Sequence, residues 1–382
     1  MSVLNLNFEK IKEKFEIIKS ALEKYSTKMD EENRVPEELL DILKKEKIFG
    51  LMIPKKYGGL GYNIVEAAVF SRFIGRISPA LALSVMVNSQ VAELLYDKGS
   101  YFEEYLRKMA TGEFIGGLGI TEIGGGSDIN RIKTVININS DKVVVSGEKS
   151  FLTNGLYADI FALLGKTNEN EFVLGIVPKT SGVEIVNTLD LVGMRGAGVA
   201  VVRFNDVNIP KENIVYSGKE ALVKTLEIIN RGRIFTAASS VGVVEALLDN
   251  IISWVQKREV FGKKLSDNDY IQQVVGDIAS DIESVWATVL LACLRMEKGL
   301  DARNLISVAK LNGAKIAMRA AVVAMQILAS HGYIRGSLVD RLYRDAKALE
   351  IMEGTNEVQR MNVFKQLLKL HKKRKNLISL IY

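Results

Sequence analysis

The feature of this sequence that most restricts its fold is a double change of hydrophobic periodicity. Up to about residue 112, apolar residues recur at three- and four-residue steps. From about 113 to 217 they gather in short runs rich in Val, Ile, Gly, Thr and Asn, and from about 218 the helical spacing returns. In FEKIKEKFEIIKSALEKYS, residues Phe8, Ile11, Phe15, Ile18 and Leu22 form one apolar helix face. After Pro36, EELLDILKKEKIFGLMI predicts a second helix, stopped in a loop by Pro54, Gly58, Gly59 and Gly61. EAAVFSRFIGRI and SQVAELLYDKG predict further helices. The runs KTVININ, KVVVSGE, DIFALLGK, EFVLGIVP, GVEIVN and VAVVRFNDVNIP predict strands, with turns at 139–141 and 167–170 and Pro210 closing the set. Four long helical blocks follow and predict a four-helix bundle, the last block carrying Glu353. The expected architecture is α+β and multi-domain. It consists of an N-terminal all-α domain (1–112), a mostly antiparallel middle β domain, sandwich or barrel (113–217), and a C-terminal four-helix bundle (218–382).

Composition narrows the class. With 48% hydrophobic and 25% charged residues over 382 positions, the chain has the balance of a soluble globular protein with ample core. Its longest apolar stretches, VGVVEALLDNIISWV and AAVVAMQILAS, read as interrupted or shorter than the roughly 20 residues of a membrane span. The first residues lack the apolar centre of a secretory signal, so a cytoplasmic location is expected. A lone cysteine, Cys293, excludes an internal disulfide, and two distant histidines, His331 and His371, disfavour a multi-histidine metal site or a Ser-His-Asp hydrolase. The net charge of +6 suits a small polyanion such as a nucleotide or coenzyme A, since no nucleic-acid motif accompanies it.

Three stretches could carry chemistry. In IMEGTNEVQR (351–360) a carboxylate, Glu353, stands between apolar Ile351 and Met352 and the helix-breaking Gly354. Such surroundings desolvate a carboxylate, raise its pKa and suit it to remove a proton near neutral pH. From this segment alone the simpler reading is a solvated Glu opening the next helix, with Thr355 as cap. GLGITEIGGGSD (117–128) offers consecutive glycines whose backbone N–H groups can approach a flat or phosphorylated ligand, with hydroxyls from Thr121 and Ser127, or else it is a bulged strand connection. Its spacing is neither a phosphate loop nor a dinucleotide fingerprint. EKSFLTNG (148–155) is a turn presenting Phe151 and Thr153.

Taken in order, these stretches resemble the acyl-CoA dehydrogenase family over nearly the whole chain. PKKYGGLG (54–61) is similar to the loop after the family's early helices. GITEIGGGSD (119–128) resembles its TEP-x-AGSD motif, with Ile123 in place of proline and Gly125 in place of alanine. KSFLTNG (149–155) resembles K-x-W/Y/F-I-T-N-G, LVGMRGAGVAVVRFNDVNIP (191–210) the G-x-R-G strand pair, KREVFGKKL (257–265) R-x-x-F-G-x-x-L, and residues 326–360 the closing signature.

The resemblance implies FAD as cofactor and removal of the α-proton of an acyl-CoA thioester by Glu353 as the β-hydride leaves for the flavin, giving trans-2-enoyl-CoA. It implies that the Gly354 N–H polarises the thioester carbonyl and that Arg233 lies near the base. Gly232 occupies the family's alternative position for the base and cannot act. Thr121 and Thr153 would hydrogen-bond the flavin ring, Phe151 would shield its face, and Ile120, Ser127 and Thr355 would contact flavin or pyrophosphate, Ser127 also lying near the pantetheine. Arg258 and Phe261 would reach the ADP part of a flavin bound mainly to a neighbouring subunit, with Gln326 and Ser330 contributing from that neighbour's side. A homodimer or homotetramer and an electron-transferring flavoprotein as acceptor follow from the same resemblance. An oxygen-using acyl-CoA oxidase, a flavin monooxygenase or a non-catalytic acyl-CoA-binding protein of the same fold are the alternatives, and Glu353 weighs against the monooxygenase. The sequence departs from the family at Ala329 and Ser330, where Gln-x-x-Gly-Gly is usual, and at Met352, where tyrosine is common.

Overall fold

The computed structural model describes residues 8–139 and 142–372. Ser140 and Asp141 of the predicted turn and residues 373–382 of the basic tail lie outside them. Five helices open the chain: α1 (Phe8–Glu32), α2 (Glu37–Lys45), α3 (Ile64–Gly75), α4 (Pro79–Asp97) and α5 (Glu103–Thr111). The second stops at Lys45, earlier than its apolar pattern suggests. Lys47 takes a left-handed conformation (φ 56°), and Gly50 lies so close to Ala110 that a Cβ there would meet the Ala110 carbonyl oxygen at 2.3 Å.

Eight strands follow, β1 (Gly116–Gly119), β2 (Val135–Ile138), β3 (Val143–Leu152), β4 (Ile160–Lys166), β5 (Phe172–Pro178), β6 (Val183–Thr188), β7 (Ala200–Ile209) and β8 (Ile214–Ser217). They form one sheet in the order β6-β7-β3-β2-β4-β5-β8, with β1 added on β4. Pairing is antiparallel except where β1 and β2 meet β4. The six strands read from the sequence are present. β1 and β8 are additional, each four residues long, and β8 follows Pro210, which therefore ends β7 without closing the sheet.

Strand β4 explains its unbroken apolar run. Phe161 and Leu163 enter the core enclosed by the curled sheet, where Phe161 meets Phe204 of β7 edge-on at 5.5 Å. Ile160, Ala162 and Leu164 point the other way, into a core shared with α4, α5 and the start of the next helix. A strand covered on both faces need not alternate apolar with polar residues.

The remaining chain is helical: α6 (Gly218–Val255), α7 (Asp269–Glu297), α8 (Arg303–Leu328), α9 (Leu338–Ile351) and α10 (Asn356–Lys372), with a small hairpin, β9 (Glu259–Val260) and β10 (Lys263–Lys264), after α6. Helices α6 to α9 are the four expected from the sequence. The closing segment breaks at 352–355, so that a fifth helix, α10, packs on α8. The N-terminal helices and this bundle share one hydrophobic core, with Phe70, Leu81, Val241, Leu247, Ile278, Ala317 and Leu342 among its members.

Long α6 lies against α3, α4, α7, α8 and α9. Both α6 and the span Arg303–His331 are long and apolar enough, at a mean hydropathy of 1.3, to cross a membrane, which corrects the expectation from interrupted runs. In α6, 78% of that window is buried within the protein, the pattern of a core helix. Small residues let it approach α3 closely. A Cβ on Gly242 would meet the Arg72 carbonyl oxygen at 2.0 Å, and one on Gly75 the Ser239 carbonyl oxygen at 2.6 Å. Beside this crossing the Arg72 guanidinium pairs with Glu245 and lies 4.5 Å from the Trp286 ring centre. A Gly242→Ala substitution is therefore expected to destabilise the protein by about 1–3 kcal/mol through overpacking, measurable by chemical denaturation.

Candidate active site

The break between α9 and α10 is built from two successive left-handed residues, Glu353 (φ 55°) and Gly354 (φ 84°). For Glu this conformation costs on the order of 1–3 kcal/mol and persists only where the surroundings hold it. They do so with buried donors. Arg233 Nε of α6 donates to the Glu353 carbonyl at 2.9 Å, and Gln359 Nε2 of α10 donates to the Gly354 carbonyl at 2.9 Å. Lys310 Nζ of α8 donates to the Glu350 carbonyl and to Asn356 Oδ1, each at 3.2 Å. Thr355 Oγ1 accepts from the Val358 N–H at 3.4 Å, so it does cap α10 as the simpler sequence reading held, while Glu353 projects elsewhere.

The Glu353 carboxylate rests against the backbone of α6 at Gly232. A Cβ at that position would lie 2.5 Å from Glu353 Oε2 and 2.8 Å from Gln90 Nε2. Gly232 thus makes the space in which the carboxylate sits. Among the described residues no side-chain or backbone donor bonds the carboxylate. Desolvation pushes its pKa up to about 7, against the opposing pull of Arg233 and Lys310. Burial in turn lowers the Lys310 pKa to about 8.

The second group of predicted residues lies where the loop after β1 meets the end of β3. The Ser150 N–H donates to the Thr121 carbonyl at 2.9 Å, which brings the 117–128 loop onto the end of β3 beside Phe151 and Thr153. Phe151 is left-handed (φ 52°) with 58% of its surface exposed, an apolar ring turned outward. The loop is fixed from below. Glu122 accepts hydrogen bonds from the Lys133 and Thr134 N–H groups, the Thr134 hydroxyl and Lys149 Nζ, and fully buried Lys149 also donates to the Ile120 carbonyl at 3.2 Å. At Gly124 and Gly125 a Cβ would meet nothing within 4 Å, so this backbone is open, and Ser127 beside it is exposed.

Helix α4 joins the two groups. Asn154 Nδ2 donates to the Ser84 and Gly116 carbonyls, fixing the turn after Thr153 to one part of α4. Gln90, beside Gly232 and the Glu353 carboxylate, lies six residues further on, roughly 9 Å along the axis.

Arg258, Phe261, Gln326 and Ser330 form a third group at the far end of the bundle. Trp254 and His331 rings, 4.6 Å apart, bring the end of α6 and the end of α8 together there. From Arg233 to the end of α6 is roughly 33 Å at 1.5 Å per residue, so one chain does not bring this group to Glu353. Phe261, at the tip of the β9–β10 hairpin with φ 52°, is fully exposed.

Sequence reasoning missed Lys310, Gln90, Gln359 and Asn356. The signal for Lys310 was present: it falls among Ile306, Ala309, Gly313, Ala314 and Ala317, the buried face of α8, where a solvated lysine does not belong. No comparable signal marks Gln90.

Family models described as the N-terminal, middle and C-terminal domains of acyl-CoA dehydrogenase match residues 12–113, 117–207 and 223–368. The chain belongs to the acyl-CoA dehydrogenase family of FAD-dependent oxidoreductases. It is 30% identical over 380 residues to the probable acyl-CoA dehydrogenase YngJ of Bacillus subtilis, covering 95% of this chain and 100% of that protein. It is 28% identical to the CarC subunit of the caffeyl-CoA reductase–Etf complex of Acetobacterium woodii, over 89% of this chain and 92% of the other. Among solved structures, butyryl-CoA dehydrogenase from Megasphaera elsdenii superposes with a TM-score of 0.91 at 26% identity, covering 96% and 99% of the two chains.

The residues present fit FAD. The exposed Phe151 ring and the open glycine backbone at 124–125 suit a planar ring with a polar tail. At the other group Ala329 holds a positive φ of 50° with ψ −130°, a backbone that glycine adopts freely and alanine rarely.

Two outcomes follow. Gly232→Ala should displace the Glu353 carboxylate and lower kcat by about 100-fold with FAD retained, since a shift of about 1 Å at a reacting group costs that much. Ala329→Gly should relieve backbone strain and raise stability by about 1 kcal/mol, read from the denaturation midpoint and from slower FAD loss on dilution.

Proposed function

We propose that this protein removes an α-proton from an acyl-CoA thioester and a hydride from its β-carbon, giving trans-2-enoyl-CoA, with Glu353 as general base. The single observation that carries the reading is the Glu353 carboxylate itself. It lies against Gly232 without a hydrogen-bond donor among the described residues, and desolvation raises its pKa to about 7. A base with such a pKa is ionised in useful amount at neutral pH and still basic enough to take a proton. FAD, when bound, supplies the hydride acceptor.

Other residues divide the remaining work. The Gly354 N–H, which no acceptor among the described residues takes, is free to donate to the thioester carbonyl as enolate charge develops there; a preorganised donor of this kind is worth about 3 kcal/mol. Arg233 holds the base's backbone in place. Thr121 and Thr153 would hydrogen-bond the flavin ring, Phe151 would shield its face, Ile120, Ser127 and Thr355 would contact flavin or its pyrophosphate, and Ser127 would also lie near the pantetheine.

The distance between Arg258, Phe261, Gln326 and Ser330 and the base, together with the bare Phe261 ring, supports a homodimer or dimer of dimers in which these residues complete the neighbour's cofactor site. The relative named as a subunit of a complex with Etf supports an electron-transferring flavoprotein as acceptor.

Glu353→Gln should retain FAD and lose about 10²–10⁴-fold in kcat with acyl-CoA, the usual contribution of a general base; unchanged turnover would sink the assignment. Because the carboxylate is the active form, kcat/KM should fall as pH drops through about 7. Fast flavin reoxidation by air, in place of reoxidation by the acceptor protein, would make the enzyme an oxidase.

A further inference from the structure

Lys310 is 0% exposed and lies among the buried positions of α8, with Ile306, Ala309, Gly313, Ala314 and Ala317. An ammonium is costly in such a place unless its hydrogen bonds and its charge are matched. Its two acceptors are informative. The Glu350 carbonyl belongs to the last turn of α9, where unpaired carbonyls concentrate negative charge, and Asn356 is the first residue of α10. Asn356 Nδ2 donates in turn to Glu350 Oε1 at 3.3 Å. One buried cation therefore spans the helix break and ties together the two ends between which Glu353 and Gly354 hold their left-handed backbones.

The charges around the base come from every helix packed there. Arg233 comes from α6, Lys310 from α8, Glu350 from α9 and Glu357 from α10; Arg233 and Lys310 act on Glu353, and Arg233, Glu350 and Glu357 act on Lys310. Glu350 is matched by Lys347 at 2.8 Å and Glu357 by Arg360 at 2.7 Å, while Glu93 of α4 is matched by Arg231 at 2.7 Å. With those acids satisfied by their own partners, Arg233 and Lys310 remain as the counter-charges of Glu353.

We propose that Lys310 is a positioning residue for the reaction. It locks α9 to α10 across the turn that carries the base, and it places a positive charge beside that base so that the carboxylate form persists at neutral pH. This deepens the reading of Glu353 as general base and rests on it. The sign follows from the charges: a cation stabilises the carboxylate, so its removal must raise the carboxyl pKa.

The test uses FAD-loaded protein and a readout that does not need turnover. The infrared carbonyl band of protonated Glu353, assigned by its loss in Glu353→Gln, is titrated in the parent protein and in Lys310→Met. The band's midpoint should rise by about one pH unit or more in Lys310→Met, the usual effect of losing a neighbouring opposite charge. The acid limb of kcat/KM should move by the same amount, with kcat falling more than KM rises. Lys310→Gln, which keeps a donor to the Glu350 carbonyl and loses the charge, should give the same shift and serves if the methionine variant folds poorly. Asn356→Ala, which keeps the charge and loosens the clamp, should lower kcat with little movement of the carboxyl midpoint. An unmoved midpoint in both lysine variants would reduce Lys310 to a structural role and overturn the electrostatic part. Full kcat in Asn356→Ala would overturn the clamp. Turnover surviving in Glu353→Gln would instead overturn the assignment of the base, an outcome separable from the infrared titration.

Discussion

The closeness of the α6 backbone to its neighbours is the constraint on which the site depends. A carboxylate can lie on the flank of a core helix only where that helix lacks a side chain, and Gly232 supplies the gap. Ten residues along, Gly242 lets α3 cross almost in backbone contact. The first glycine makes room for the Glu353 carboxylate and the second anchors the N-terminal helices that carry α4 to the same place. A helix with larger residues at both places would push apart the layers that now share one core.

Charge balance is the second requirement. Taking Glu353 out of water favours its protonated form, and the two buried cations on α6 and α8 limit how far that goes. Both cations also bond backbone carbonyls around the turn, so geometry and electrostatics are served by the same side chains. This dual use accounts for a strained turn in a place where an ordinary helix terminus would be cheaper: the left-handed residues aim the carboxylate at α6, and the buried donors hold them there.

Much of this was legible in the sequence. The change of period at about 113 and again at about 218 marks where helices give way to strands and return, because the spacing of apolar residues reflects which face each element buries. The core strands were visible as β-branched runs. The short strands β1 and β8 were not, since Gly116 to Gly119 is all glycine but for Leu118, and strand pairing there is imposed by β4. The break before α10 was suggested by Gly354, yet the left-handed state of Glu353 itself has no local signal, because it is set by Arg233, more than a hundred residues away in sequence. Gly232 was read as a position that cannot act; its use as the seat of the carboxylate is a tertiary fact. Lys310 stood on an apolar helix face in plain view, and its partners emerge from the packing of α8 on α9 and α10.

Strand β4, covered on both faces, bears on how the chain must fold and how it could be re-engineered. Its even-numbered residues Ile160, Ala162 and Leu164 belong to a core completed by α4, α5 and α6. An excised middle sheet would present those side chains, with Leu174 and Ile176 of β5, as a greasy plate beside unpaired strand edges, a surface prone to association. The β region is therefore no portable module. Its stability is borrowed from segments on either side of it in sequence, so exchanging this region alone between proteins would strip it of the helices that complete its core.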